Sequence, residues 1–142
     1  MQNTWVQDIA EMHKKFGVNE VIRNLSPENL RAFLKFRVDF LKEELTEMVE
    51  ASENPNYKKP ESRADDIVDA LIDLCVVAIG TLDALDIDAE TAWKRVHTKN
   101  MEKEVGIKAG RPNPLGLPDL VKPENWEAPT HADNIGLLSK IF

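Results

Sequence analysis

The segment SRADDIVDALIDLCVVAIGTL, residues 62–82, decides how this chain folds. Ile67, Leu71, Leu74, Val77, Ala78 and Leu82 recur at three- and four-residue steps, the period of one helix face rather than the two-residue alternation of a strand. Gly80 does not break the pattern, because one glycine costs a helix only about 1 kcal/mol. Asp66, Asp69 and Asp73 fall on a second stripe of the same helix. Asp69 and Asp73 stand inside an almost continuous apolar run, where a merely solvated face would be wider and mixed with lysine.

Three further segments carry the helical period. One runs from about Thr4 to Phe16, with Trp5, Ile9, Met12 and Phe16 on one stripe, and stops near Gly17. A second opens at Ser26-Pro27, where a hydroxyl can cap free backbone N–H groups and proline suits the first helical position, and continues to about Ser52. A last one follows the capping residue Asp88 and runs through Trp93, Val96 and Met101 to about Glu104. Beyond Gly106 the period dissolves: residues 107–142 hold five of the eight prolines and half of the six glycines. That composition predicts an extended stretch. No repeat and no alternating strand pattern is visible. The predicted fold is all-α: a four-helix bundle-like domain over residues 1–105, then an extended C-terminal arm over 106–142. Leu115, Leu120, Trp126 and Leu137 are the arm's candidate anchors on the bundle or on a neighbouring subunit, and Trp93 is expected to pack.

With 25 acidic against 18 basic side chains and a formal charge of −7, the chain repels a phosphate backbone, which argues against a nucleic-acid partner. The lone cysteine, Cys75, lies in an apolar run and is expected to be a buried small hydrophobe, so neither a disulfide framework nor a thiolate metal site is expected. No segment reads as a leader, and none has the roughly 18 apolar residues a membrane span needs. A soluble, cytoplasmic protein is the expectation, in the host cytoplasm if the source is a phage.

The preceding helix contains Glu43-Glu44-Leu45-Thr46-Glu47, in which Glu44 and Glu47 share a face one turn apart. The loop Asn54-Pro55-Asn56-Tyr57-Lys58-Lys59-Pro60 is short enough to make the two helices antiparallel neighbours. Glu44 and Glu47 then stand at similar height to Asp69 and Asp66. Such a gathering is repulsive unless cations neutralise it, and all-oxygen ligands select hard ions such as Mg2+ or Mn2+. Glu50 and Glu53 read as a solvated face. A carboxylate-bridged di-iron site would need Glu-x-x-His pairs, which are absent here. A non-catalytic helical protein whose acidic faces bind basic partners is the competing reading from a different class.

The same residues resemble the all-alpha nucleoside triphosphate pyrophosphohydrolases, the superfamily that includes MazG-like and dimeric dUTPase-like enzymes. The family pattern Glu-Glu-x-x-Glu, a gap of roughly twenty residues, then Glu-x-x-Asp, reads here as Glu43, Glu44, Glu47, Asp66 and Asp69. Asp66 departs from it, being one methylene shorter than glutamate. Val96-His97-Thr98-Lys99-Asn100-Met101-Glu102-Lys103 is similar to the family segment Val-His-x-Ser-Asn-Met-x-Lys. The arm from Leu115 to Trp126, with Lys122-Pro123-Glu124-Asn125-Trp126, is similar to short phage-type and bacterial members. The resemblance covers most of Arg37 to Trp126. It implies metal-dependent hydrolysis of a nucleoside triphosphate to monophosphate and pyrophosphate by a homodimer or homotetramer. Glu44, Glu47, Asp66 and Asp69 would hold the metal, and Glu43 would be the base or extra ligand that orients water. Asn100, Lys103, Arg37 and His97 would serve the substrate. Deoxynucleotides, and among bases guanine (dGTP or GTP), are the expected substrates. dUTP and phosphoribosyl-ATP are the alternatives.

Overall fold

The computed structural model describes residues 1–57 and 59–142; Lys58, in the expected interhelical loop, lies outside the described residues. Five α-helices and one two-stranded sheet appear among them: α1 (Trp5–Phe16), α2 (Val18–Arg23), α3 (Pro27–Glu53), α4 (Arg63–Ala84), α5 (Ala89–Met101), β1 (Glu104–Gly106) and β2 (Asp119–Val121). The expected all-α class holds. The described residues divide into two compact units, Met1–Ala89 with Ile135–Phe142, and Glu90–Asn134.

In the first unit the helix ends follow from local chemistry. Thr4 accepts from the Gln7 backbone N–H (3.2 Å) while the Gln7 side chain accepts from the Thr4 N–H (2.8 Å), a reciprocal cap for α1. Ser26 caps α3 by accepting from the Asn29 N–H (3.2 Å), with Pro27 at the first helical position. Gly17, at φ 67°, ends α1 and begins α2. The six-residue α2 is a correction to the four-helix reading: it is too short to show a period of its own.

α3 and α4 form the antiparallel hairpin the short loop requires, and α1 and α2 pack on α4. The core gathers at the end of this hairpin remote from the loop. Leu30 and Leu85 are fully buried there with Ile22, Ala84, Ile87 and Ile141, and Phe33, Leu34 and Leu137 close around them. The tail Ile135–Phe142 completes this core. The Leu137 N–H donates to the Leu85 carbonyl (2.7 Å), and Arg31 Nη2 donates to the Ile141 carbonyl (2.9 Å).

In the second unit α5 ends at Met101, three residues short of the expected Glu104. The Lys103 N–H turns back to the Asn100 carbonyl (3.1 Å), and β1 starts at Glu104. β1 pairs antiparallel with β2, Glu104 opposite Val121 and Gly106 opposite Asp119. A Cβ at Gly106 would lie 2.3 Å from Val121 Cγ2, so only glycine lets the strands approach this closely. The hairpin adds a strand pairing that the sequence pattern does not announce; strands of three residues are too short to display alternation. Trp93, expected to pack, is 72% exposed on this chain, Leu115 is also exposed, and Cys75 is half-buried rather than buried.

Gly136 tests how the tail is fixed. It stands at φ 49°, and a Cβ there would lie 2.0 Å from the Leu85 carbonyl oxygen. Gly17 has a similarly positive φ but open space around its would-be Cβ. Gly136→Ala is therefore expected to cost about 2 kcal/mol or more, against about 1 kcal/mol for Gly17→Ala, where only the left-handed conformation is penalised. Urea unfolding of both variants measures the difference. Equal losses would mean that the tail does not dock on the α4 end.

Candidate active site

The hairpin brings the acidic residues of α3 and α4 to the end nearest the loop. A cleft of about 240 Å3 opens there, lined by Thr46, Glu47 and Glu50 of α3, Tyr57 of the loop, and Asp66 and Asp69 of α4. Glu44 and Asp73 stand one step further along. Glu44 is half-buried, and its Oε2 is shielded from solvent without a hydrogen-bond partner. Lost solvation raises the Glu44 pKa above the usual carboxylate range, and the negative charges of Glu47 and Asp73 push it the same way. Asp73 is raised too, first by burial and then by Asp69.

Asp66 is held differently. Its Oδ2 accepts from the Tyr57 hydroxyl and from Ser62 Oγ (3.1 Å). The hydrogen bond to Asp66 is also the main reason the Tyr57 phenol keeps its proton to higher pH than usual. Arg63 fixes this corner by donating from Nη1 to the Ala51 carbonyl and from Nη2 to the Asn54 carbonyl, both 2.8 Å, with its guanidinium 5.0 Å from the Tyr57 ring centre. Two cationic hydrogen bonds thus satisfy carbonyls that the end of α3 leaves free. Periodicity finds neither Tyr57 nor Ser62, since both lie outside the α-helices and act through their distance from Asp66. Glu50, read from sequence as solvated, lines the cleft and accepts from Asn54 Nδ2 (2.8 Å).

Glu47, Asp66 and Asp69 therefore share the cleft, and Glu44 borders it beside Glu47. Glu43 is exposed one residue along. Among the described residues no three carboxylate, histidine or cysteine side chains converge closely enough to hold one ion as they stand. The donor set is nonetheless all oxygen, and the orphaned Glu44 Oε2 is a buried acceptor left without a donor, which a cation would satisfy.

Arg37, two turns before Glu44, donates from Nε to Thr81 Oγ1 (2.9 Å) and from Nη2 to the Val77 carbonyl (3.0 Å), so it ties α3 to α4 and meets no carboxylate of the cleft. Gly80 makes room for it: a Cβ there would lie 2.6 Å from Arg37 Nη2. Beside it His13, 4% exposed, places Nδ1 2.7 Å from Asp83 Oδ2, to which Asn19 Nδ2 also donates (3.0 Å). His97, Asn100 and Lys103 belong to the second unit, where His97 and Asn100 are exposed and Lys103 is half-buried with its ammonium 5.3 Å from the Trp126 ring centre.

The orphaned carboxylate has a measurable signature in the protein without metal. A carboxyl group raised in the fold binds its proton more tightly there than in the unfolded chain. Its contribution to stability is complete below the unfolded value, about 4.3 for glutamate, and is lost as pH rises through the folded value. Glu44→Gln removes that loss. The melting temperature of the variant in EDTA is expected to exceed that of the parent by a margin that grows from pH 4 towards neutrality. A margin independent of pH would mean that Glu44 is an ordinary solvated acid.

A family model described as phosphoribosyl-ATP pyrophosphohydrolase matches residues 10–100, a span that takes in every carboxylate of the cleft together with His97 and Asn100 and stops before Lys103. No curated protein and no solved structure matches the chain. With most of the chain matched and the acidic residues of α3 and α4 inside the match, this protein belongs to the phosphoribosyl-ATP pyrophosphohydrolase family, hydrolases of pyrophosphate bonds within the MazG-like all-alpha nucleoside triphosphate pyrophosphohydrolase superfamily.

Proposed function

We propose that this chain hydrolyses a nucleoside triphosphate, ribo or deoxy, to the monophosphate and pyrophosphate, supported by Mg2+ or Mn2+. The observation that carries the reading is the buried, unpartnered Glu44 Oε2 beside a cleft lined by Glu47, Asp66 and Asp69. Crowded carboxylates of this kind are stable only with a counter-charge, and oxygen donors favour hard divalent ions. Glu44, Glu47, Asp66 and Asp69 would hold the ion, with Asp73 behind them. When bound, it supplies charge neutralisation at the phosphate oxygens and a more acidic water. Tyr57 and Ser62 orient Asp66, and Glu43 orients the attacking water. Asn100, Lys103 and His97 offer donors to the phosphate tail. Arg37 contributes by fixing α3 against α4.

Guanine nucleotides, dGTP or GTP, are the proposed substrates, and resemblance to the short phage-type enzymes favours the deoxy form. The second reading is phosphoribosyl-ATP, favoured by the family description over residues 10–100. dUTP is the remaining alternative. Pyrophosphate release from the eight common triphosphates and from phosphoribosyl-ATP separates these. No release from any of them would leave a non-catalytic acidic protein. In oxygen-18 water the label is expected in the monophosphate, because attack at the α phosphorus lets pyrophosphate leave as a unit. Orthophosphate and a nucleoside diphosphate as first products would overturn the proposal. Glu47→Gln and Asp69→Asn keep shape and remove charge, and each is expected to lower kcat by about 10^3-fold or more while the fold persists.

We also propose a homodimer or homotetramer. Leu45 and Val49 of α3, and Val68, Leu71 and Ile72 of α4, are exposed on the carboxylate half of the hairpin, which the core does not reach; Val68 is 62% exposed. An apolar face of this extent is commonly buried against a second copy. Light scattering at micromolar concentration is expected to give a dimer or larger, and Val68→Glu with Ile72→Glu a monomer of reduced activity. A fully active monomeric parent would overturn this.

A further inference from the structure

The second unit carries a cationic feature that lies beyond the family match. Lys103 and Lys122 immediately flank the terminal pair of the β1–β2 ladder, Glu104 opposite Val121. Both side chains turn to one aromatic ring: the Lys103 and Lys122 ammonium groups lie 5.3 and 5.0 Å from the Trp126 ring centre, and hence no more than about 10 Å apart. The ring is fixed, because Trp126 Nε1 donates to the Lys99 carbonyl (2.9 Å). Neither ammonium forms an ion pair among the described residues. Of the nearby acids, Glu102 is engaged by Lys99 (3.2 Å), and Glu104 and Glu124 are exposed.

We propose that Lys103 and Lys122, converging on the ring of Trp126, form a polyphosphate-binding site in the second unit. The two ammonium groups converge on one ring with no ion-pair partner among the described residues, an arrangement that an anion completes. An anion of two linked phosphoryl groups reaches both better than a single phosphate does. The indole is a platform for the cations rather than a stacking surface for a base: its edge is tied to Lys99, and the ammonium groups crowd its surroundings. Choosing a polyphosphate as ligand rests on the pyrophosphohydrolase reading; the convergence of the lysines does not.

The experiment is a binding titration in EDTA, without metal or turnover. The chain has three tryptophans. Trp5 and Trp93 are both exposed, so a Trp5→Phe, Trp93→Phe variant retains the fold and leaves Trp126 as the sole emitter. Pyrophosphate is expected to change its emission saturably, more tightly than orthophosphate, sulfate or a nucleoside monophosphate. Lys122→Ala and Lys103→Ala, each in that background, are expected to weaken the apparent affinity about tenfold with the circular dichroism unchanged. Calorimetric titration of the parent chain and its Lys122→Ala variant gives the same comparison without the tryptophan changes. No saturable response, equal affinity for sulfate and pyrophosphate, or affinity indifferent to both lysine substitutions would overturn the site. Because nothing is hydrolysed, a positive titration stands even if no triphosphate is a substrate. A negative one leaves the hydrolytic reading intact.

Discussion

The mutual repulsion of carboxylates across α3 and α4 is the constraint on which the first unit is organised. Glu44, Glu47, Asp69 and Asp73 are brought together by the pairing of two helices, and burial raises Glu44 and Asp73 before their neighbours raise them further. Such a face opposes the association of the helices that carry it. What holds them together lies elsewhere. The large fully buried side chains, Leu30 and Leu85, sit at the opposite end of the hairpin, and between that core and the cleft Arg37 bonds α3 to the Thr81 hydroxyl and the Val77 carbonyl. At the loop end Arg63 ties α4 to the last carbonyls of α3. The hairpin is thus fastened on both sides of its acidic stretch, which lets repulsion be tolerated where it is useful.

The parts of this arrangement that were legible in the sequence are those that a helical period encodes. Ile67 to Leu82 announces α4, Ser26-Pro27 announces the start of α3, and the placing of Glu44 and Glu47, three residues apart, against Asp66 and Asp69 follows once the loop is short. Illegible parts fall into two kinds. Elements shorter than two periods, such as α2, β1 and β2, leave no repeat to detect. Contacts made by residues outside any period, such as Tyr57 and Ser62 on Asp66, depend on where a loop places a hydroxyl. Arg37 shows a third limit. It lies on α3 seven residues before Glu44, yet a long side chain chooses among partners within reach, and the Thr81 hydroxyl and the Val77 carbonyl of α4 are the ones it meets. The exposure of Trp93 has a simpler cause: amphipathic spacing states that a face is apolar, not that this chain alone covers it.

Charge is unevenly divided between the units, and that division bears on how an anionic substrate would be handled. From residue 90 to 134 basic and acidic side chains balance, so the whole formal charge of −7 resides in the unit that holds the cleft. A triphosphate approaching such a surface unaccompanied is repelled, and among the described residues no lysine or arginine lines the cleft; Arg37 is committed to α4 and Arg63 to the end of α3. On the proposed reading, binding and neutralisation are one event. On that reading the divalent ion would be no accessory to a site already attractive to phosphate; its presence would convert a repulsive cleft into a receptive one. Affinity for the substrate should then track occupancy of the carboxylates by metal, so a shortfall in charge at any one of Glu44, Glu47, Asp66 or Asp69 acts on binding and on turnover together.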